Sequence, residues 1–447
     1  MSDEVPVWVW LPGADTPVEA GGLRFQQGEY RFAYRPEYKG NPALDPVQLR
    51  IKAGNAVSQT LPGVFQDAKP AGYGEDRLNA KWQAEYQRDL TDLELLELGP
   101  ADSVGAIEVC EDIQRKLQWR PTPVEALGEE LARLEDDAPA SRAMRRANQD
   151  EGTSAGGERP KATFSFMDKM WLVKMQDRGD RQGMPAMEFT TMRLAALAEI
   201  TAAHVELKSV GRHQALMVER FDRIGALDKP QRRLFASAHT VLQLPAAAIR
   251  GDHPGRSYLA LADRMRVWCR QSPTLEMDLH ELWKRMAFNA LVGNTDDHPR
   301  NHGLLHDKGG WHLAPAFDIT PIWMPPSQGQ GASMPSLAMA TGEGTSGDVE
   351  PSRLLASAPH FGLKPEDAAS YLGRASKLIS ERWEKMMRDA LEPIVSQREP
   401  GYRDKVIDQC RQSFSISLRL VEDSSALEKA IETVMAPKRV GRPRRKG

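Results

Sequence analysis

Near the N-terminus, apolar positions come in short runs rather than at helical spacing: Val7-Trp8-Val9-Trp10-Leu11, Leu23-Arg24-Phe25 and Tyr30-Arg31-Phe32-Ala33-Tyr34, separated by Gly and Pro clusters. Runs of β-branched and aromatic residues between turn formers predict a small meander, and with it a small α+β unit. Residues 65–78 are turn-rich and read as a surface loop that leads into a helical segment over residues 78–97. From residue 126 to 160 the chain turns polar and rich in Ala, Gly and Ser, as a linker or mobile loop does. Two strands are expected at 162–166 and 170–175, a helix over 186–203 and a further strand at 215–221, after which the pattern is mostly helical. The clearest periodicity lies over residues 278–293, where Leu279, Leu282, Trp283, Met286, Ala287, Ala290 and Leu291 form one apolar face. That stripe is core packing; its importance is the polar loop it delivers, Gly293-Asn294-Thr295-Asp296-Asp297-His298-Pro299-Arg300-Asn301. A short hairpin, 304–306 with 311–313, follows and leads to Phe317-Asp318. Residues 325–350 are expected as a long flexible loop, with helices from there to about residue 435.

Composition narrows the class. The 447 residues suffice for two or three packing units at roughly 150 residues each. Cys110, Cys269 and Cys410 are odd in number and far apart, which excludes a disulfide framework or a zinc ribbon and fits a reducing cytoplasm. The start, Met-Ser-Asp-Glu, carries acids where a signal peptide carries bases, and no run approaches the ~18 apolar residues of a membrane span. A cytoplasmic, non-membrane protein is the expectation. The formal net charge of −3 hides an asymmetry. Residues 437–447 hold six basic side chains and no acid, so residues 1–436 carry 53 basic against 62 acidic side chains, a net −9. Such a body is no broad nucleic-acid binder, and the tail, without an apolar face, is expected to be disordered.

Phosphoryl transfer asks a protein to position a hydroxyl, hold Mg²⁺ against the phosphates and neutralise charge. In the protein-kinase pattern a catalytic Asp precedes a metal-binding Asn with four residues between them, and a metal-binding Asp follows later. Asp296, Asn301 and, after the expected hairpin, Asp318 have that spacing. Ser154-Ala155-Gly156-Gly157-Glu158-Arg159-Pro160-Lys161 could wrap phosphates through backbone N–H groups, glycine allowing close approach. Lys174 sits inside the apolar run Trp171-Leu172-Val173-Lys174-Met175, where an unpaired ammonium is costly, so it needs an anion: a phosphate, or a carboxylate such as Glu188. Val218-Glu219-Arg220-Phe221-Asp222-Arg223 falls where a strand crosses to the helical part, a place for adenine to meet backbone groups.

Taken together, these motifs resemble the HipA-like serine/threonine kinases, toxins of type II toxin–antitoxin systems, over about residues 5–430. The Phe65-to-Leu78 stretch and Val104-Gly105-Ala106-Ile107 look like that family's N-terminal subdomain. The resemblance implies an α+β, bilobal protein-kinase-like fold, with an N-terminal α/β lobe carrying a small β-rich subdomain and an all-α C-terminal lobe. It implies an N-terminal subdomain over 1–125, a linker and Gly-rich phosphate loop over 126–160, the rest of the N-lobe over 161–225, a helical catalytic C-lobe over 226–436 and the basic tail over 437–447. It also implies Asp296 as catalytic base, Asn301 and Asp318 as Mg²⁺ ligands, and Ser154, Gly156, Gly157, Lys161, Lys174, Glu219 and Phe221 as the ATP-binding set. Ser154 matches the family's autophosphorylated loop serine, with Thr153 adjacent. The implied partners are a HipB-like helix-turn-helix antitoxin, DNA through that antitoxin, and a protein target in translation such as an aminoacyl-tRNA synthetase. The metal motif reads Phe-Asp-Ile-Thr without the Gly of ordinary kinases, and Asp297 has no assigned role.

Other readings compete. A metal hydrolase through His298, His302, His306 and His312 lacks the glutamate of an H-E-x-x-H helix, and Pro299 interrupts the first pair. A small-molecule kinase of the aminoglycoside or sugar type uses the same Asp and Asn spacing. An inactive, DNA-associated corepressor is suggested by Gly441-Arg442-Pro443 with its flanking bases, which resembles an AT-hook lying in a narrow minor groove.

Overall fold

In a computed structural model of the chain, residues 4–51, 54–136, 161–176, 180–245, 255–324, 334–423 and 425–436 are described. The first apolar run becomes the strand Val5–Trp10, whose alternation turns Val5, Val7 and Val9 into a core. It sits inside an antiparallel sheet ordered Ala56–Ser58, Glu29–Tyr34, Pro17–Gln26, Val5–Trp10, Ile107–Val109. The stretch read as a surface loop is instead two helices, Gly63–Ala68 and Tyr73–Tyr86. Pro62 and Pro70 bracket the first, and Val64, Phe65 and Ala68 are buried on it, a pattern of one turn and a half that gives no period to read. The helical segment over 78–97 is likewise broken. Tyr73–Tyr86 ends at Gln87 with φ +55°, and Asp92–Leu98 restarts behind a capping box between Thr91 and Glu94.

A second sheet carries the strands expected in the middle of the chain, ordered Thr122–Pro123, Lys161–Phe166, Lys169–Met175, His213–Glu219, Val205–Val210. Period-2 alternation gives it two apolar faces. Phe164, Trp171, Val173 and Met217 pack with Val124, Leu127 and Leu131, while Leu216 and Val218 join the main core with Met187 and Leu194 of the helix Met184–Leu197. The linker reading of 126–160 therefore fails over residues 127–136, which form the helix Leu127–Asp136. Leu127 and Leu131, one turn apart, dock it on the sheet, a stripe that the surrounding acids obscure in the sequence. The rest of that segment, with Ser154, Gly156 and Gly157, lies outside the described residues, as does the 437–447 tail.

Beyond residue 221 helices dominate, but strands come first: Arg223–Ile224, Gln231–Arg232 and Leu234–Ser237. The last pairs with Gly303–Asp307, which pairs with Gly310–Leu313, so the expected hairpin is part of a three-stranded sheet within the mostly helical part. The periodic helix spans Leu275–Val292 with its whole predicted stripe buried. The 31-residue helix Pro365–Val395 packs along Met184–Leu197: the Tyr371 hydroxyl donates to the Ala198 carbonyl at 3.1 Å, and Gln214 Nε2 donates to the Ala390 carbonyl at 2.7 Å. Residues 334–350, expected as flexible, hold no helix or strand, yet bridges between Ser257 and Ala340 and between Ser336 and Asp348 fasten them.

A buried ionic cluster fixes the N-terminal sheet to the strand-to-helix crossing. Arg220, Arg223 and Arg232 donate to the carbonyls of residues 102, 103 and 105 and to the carboxylates of Asp222 and Glu108. Asp222 also accepts the Gly105 N–H at 2.8 Å. Burial raises the cost of its charge, but Arg220 and Arg223 hold the Asp222 carboxyl far below the usual carboxylate range. Arg223, buried beside Arg232, is pushed down instead.

Candidate active site

The site is built where the Leu275–Val292 helix stops. Gly293 caps it at φ +64°, and its carbonyl accepts the N–H groups of Ile322 and Trp323 at 3.2 and 3.0 Å. A Cβ at Gly293 would lie 2.5 Å from the Ser413 carbonyl oxygen, so only glycine fits this turn. Asn294, itself buried, follows the helix by donating its Nδ2 to Asn289 Oδ1 at 3.1 Å. The loop then presents Asp296 to solvent and turns Asp297 inward. A short 3-10 turn, Pro299–Asn301, brings Asn301 back so that its Nδ2 donates to the Asp296 carbonyl at 2.8 Å. With the amide nitrogen so used, the Asn301 oxygen is the atom suited to a cation.

Lys174 lies on the sheet face opposite Trp171 and Val173, toward the helix Met184–Leu197, which carries Glu188 in its second turn. Its ammonium donates to Glu188 Oε1 at 2.6 Å and to Asp318 Oδ1 at 2.8 Å. Burial pulls the lysine pKa down, but Asp318 and Glu188 outweigh it and hold the group above the ordinary lysine value. Asp318 itself adopts φ +60°, a left-handed conformation that aspartate tolerates better than most residues and that recurs at functional sites. The preceding Phe317 packs on Phe221 with ring centroids 5.6 Å apart, and Phe235 completes the cluster. Phe317 also shares a small pocket with Asn301 and Asp297.

The residues singled out in the sequence thus fall into three linked groups. Asp296 and Asn301 share the loop, Lys174 and Asp318 are bonded, and Phe221 touches the residue before Asp318. Glu219 sits at the crossing with its carboxylate on Lys169 at 2.7 Å and His204 at 3.2 Å and its N–H on the His204 carbonyl. Lys161 opens its strand directly opposite Lys174. Of the four histidines, His302 bonds within the loop's buried underside, His306 stacks edge-on to Trp311, and His312 faces Asp307 at 3.8 Å. Among the described residues no three His, Cys, Asp or Glu side chains converge as a metal cluster.

Several residues of the site gave no signal, or one that was passed over. Tyr258 donates to Asp297 Oδ2 at 2.5 Å and accepts from Asn289 Nδ2 at 3.0 Å. Burial pushes the Asp297 carboxyl up to about 8 and the His302 imidazole down to about 3. Arg285, interrupting the apolar helix with Asn289 one turn later, donates to the Ala314 carbonyl at 2.8 Å. Two polar residues among a buried stripe, just before a polar loop, were the available clue.

Against known proteins, residues 153–383 match the model of the HipA-like C-terminal domain, and residues 9–110 that of the HipA N-terminal domain. The chain belongs to the HipA-like family. The serine/threonine-protein kinase toxin HipA of Shewanella oneidensis is 28% identical over 150 residues, covering 31% of this chain and 34% of that protein. Y4mE of Sinorhizobium fredii, provisionally named a kinase, is 24% identical over 245 residues, covering 51% and 57%. The matches therefore span between about a third and just over half of these curated relatives. A solved complex of HipA, HipB and operator DNA from the Shewanella oneidensis MR-1 toxin–antitoxin system contains a chain that superposes with a TM-score of 0.70 at 18% identity, covering 93% of this chain and 97% of that one. The fold is a HipA fold, mixed α and β. No helix among the described residues is long and apolar enough to cross a membrane.

Proposed function

We propose that this HipA-like chain is an ATP-dependent serine/threonine protein kinase. The observation that carries the reading is Lys174 bonded at once to Glu188 and Asp318, since a strand lysine paired to a helix glutamate beside a metal-binding aspartate is a kinase arrangement. Asn301 and Asp318 offer an amide oxygen and a carboxylate, the few hard oxygen ligands from which Mg²⁺ is held when phosphates and water complete its shell. When bound, that ion neutralises charge on the phosphate oxygens. Lys174 holds the ATP phosphates, the Gly-rich run with Ser154, Gly156 and Gly157 is assigned to the same phosphates together with Lys161 at the start of its strand, and the crossing at Glu219 and Phe221 meets adenine. The Glu219 N–H is engaged, so its carbonyl is the group for the base. Asp296, exposed on its loop, takes the proton of the attacking hydroxyl as the new O–P bond forms and the bond to the ADP oxygen breaks.

The acceptors are Ser154 of the chain itself and a protein in translation, and the chain works in the cytoplasm as a toxin restrained by a helix-turn-helix antitoxin on DNA. Support for the partner is the HipA, HipB and operator complex whose HipA chain shares this fold. The lobes divide near residue 225, within the span of the C-terminal family model. Incubation with Mg²⁺ and γ-labelled ATP tests the reading. Label should enter the wild-type chain, vanish in Asp296→Ala and be lost from the loop in Ser154→Ala. A wild type that labels neither itself nor any lysate protein would defeat it, and label found only on small molecules would point to an aminoglycoside- or sugar-type kinase.

A further inference from the structure

The proposed reaction gives no task to the carboxylate beside its base. Asp297 is wholly buried, and the groups it bonds are neutral. Its Oδ1 accepts the Ala338 N–H at 2.6 Å, the Met339 N–H also donates to the carboxylate, and Oδ2 accepts from Tyr258. Ala340 closes the strip from the other side: its N–H donates to the Arg256 carbonyl and its carbonyl accepts the Tyr258 N–H, both at 3.0 Å. One carboxylate therefore fastens the loop of Asp296 to residues 338–340, twenty residues past Asp318. A carboxyl group can bond two backbone N–H groups and a hydroxyl together through its two oxygens, which is why a buried acid stands here.

We infer that Asp297 is a positioning residue for phosphoryl transfer, latching the catalytic loop to the 338–340 strip so that Asp296 is held in reach of the acceptor hydroxyl. The inference rests on the kinase reading above. Asp296 is exposed and directly precedes Asp297, so the buried latch, together with the Asn301 amide on the Asp296 carbonyl, sets where its backbone stands. Lys174, Glu188 and Asp318 stand on other elements, and of the nucleotide side only Asn301 shares the latched loop, so loss of the latch falls mainly on the chemical step.

The test uses the full chain as wild type, Asp297→Ala, Asp297→Asn and Tyr258→Phe. It reads rates of self-labelling against ATP concentration and amide hydrogen exchange over residues 336–341. Asp297→Ala should lower kcat about 100-fold, the scale of a misplacement of about 1 Å, with KM for ATP within about 3-fold. Exchange at Ala338 and Met339 should quicken in the same variant. Asp297→Asn should regain most of the rate. The amide oxygen keeps both backbone bonds, the NH₂ donates to Tyr258, and the tyrosine proton turns to His302 Nε2, 3.3 Å away. Tyr258→Phe, which loses one bond of three, should fall between, and it decides the matter if Asp297→Ala does not fold. A wild-type kcat in Asp297→Ala or Tyr258→Phe overturns the inference, as does an Asp297→Asn as slow as the alanine variant. A wild type without label defeats the kinase reading instead; unchanged exchange in Asp297→Ala then overturns the latch itself.

Discussion

Lys174 makes two ion pairs whose partners differ in exposure. The Glu188 side chain is 4% exposed and that of Asp318 33%. Replacing the lysine takes the counter-charge from a buried acid, which costs about 3–5 kcal/mol, whereas the Asp318 contact, open to water, contributes far less. Lys174→Ala should therefore be strongly destabilising in chemical denaturation. Adding Glu188→Ala should restore much of the loss, giving a coupling energy of about 1–3 kcal/mol in a double-mutant cycle, and additive effects would contradict the pairing. At Gly293 the argument is steric. Gly293→Ala meets both an unfavourable φ and the Ser413 carbonyl, while Gly28→Ala, at φ +80° with open space around its Cβ, meets only the first. The first should cost clearly more than the second, which is expected at about 1–2 kcal/mol, and should also abolish label transfer.

At the scale of elements, what repeats was legible. The Leu275–Val292 stripe was read from period 3.6, the three N-terminal strands from β-rich runs, and Lys174 from a charge that broke an apolar strand. Even its partner Glu188 was named, because a strand lysine can be satisfied only by something nearby. What was not legible has no period. The helix Gly63–Ala68 is six residues long, and Leu127–Asp136 is docked by two leucines among acids. Tyr258 meets Asp297 across 39 positions of sequence, and the strip at 338–340 looked like a loop because its order comes from partners elsewhere in the chain. Asp296, Asn301 and Asp318 were found by spacing alone; that Asn301 steadies the Asp296 carbonyl needed coordinates.

For the whole molecule, buried titratable groups shape how stability follows pH: burial pushes His302, His239 and His306 down and raises Asp297, Asp45, Asp67 and Asp278. His302 and His239 are held neutral by burial, with pKa values of about 3 and about 4, and Asp297 is raised to about 8. Between pH ~4 and ~6.5 the unfolded chain binds two histidine protons that the folded one refuses, and the folded chain keeps the Asp297 proton that the unfolded one releases. His302 and His239 thus make stability fall on acidification, while Asp297, Asp45, Asp67 and Asp278, which keep protons that the unfolded chain releases, act the other way. Above pH ~6.5 the histidines no longer differ, and Asp297 makes stability fall again toward pH ~8. In melting temperatures followed against pH, Asp297→Asn should remove the fall that the wild type shows between pH ~6.5 and ~8, and an unchanged profile in that variant would contradict the assignment. The N-terminal sheet is bound into the same balance. Glu108 neutralises Arg232 and Lys116 in the buried cluster, so Glu108→Ala should cost about 3–5 kcal/mol, measured by denaturant titration.

The helix that carries Glu188 is gripped along its length. Gly183 at its start abuts Val406, Thr190 reaches Met387, and Tyr371 holds the Ala198 carbonyl at its end. An enzyme whose glutamate rides on a loose helix can idle by swinging that helix away from the lysine. Here such a swing would tear open the contact with the Pro365–Val395 helix, so on the kinase reading proposed above the glutamate stays beside its lysine, and control would have to work elsewhere than through this helix.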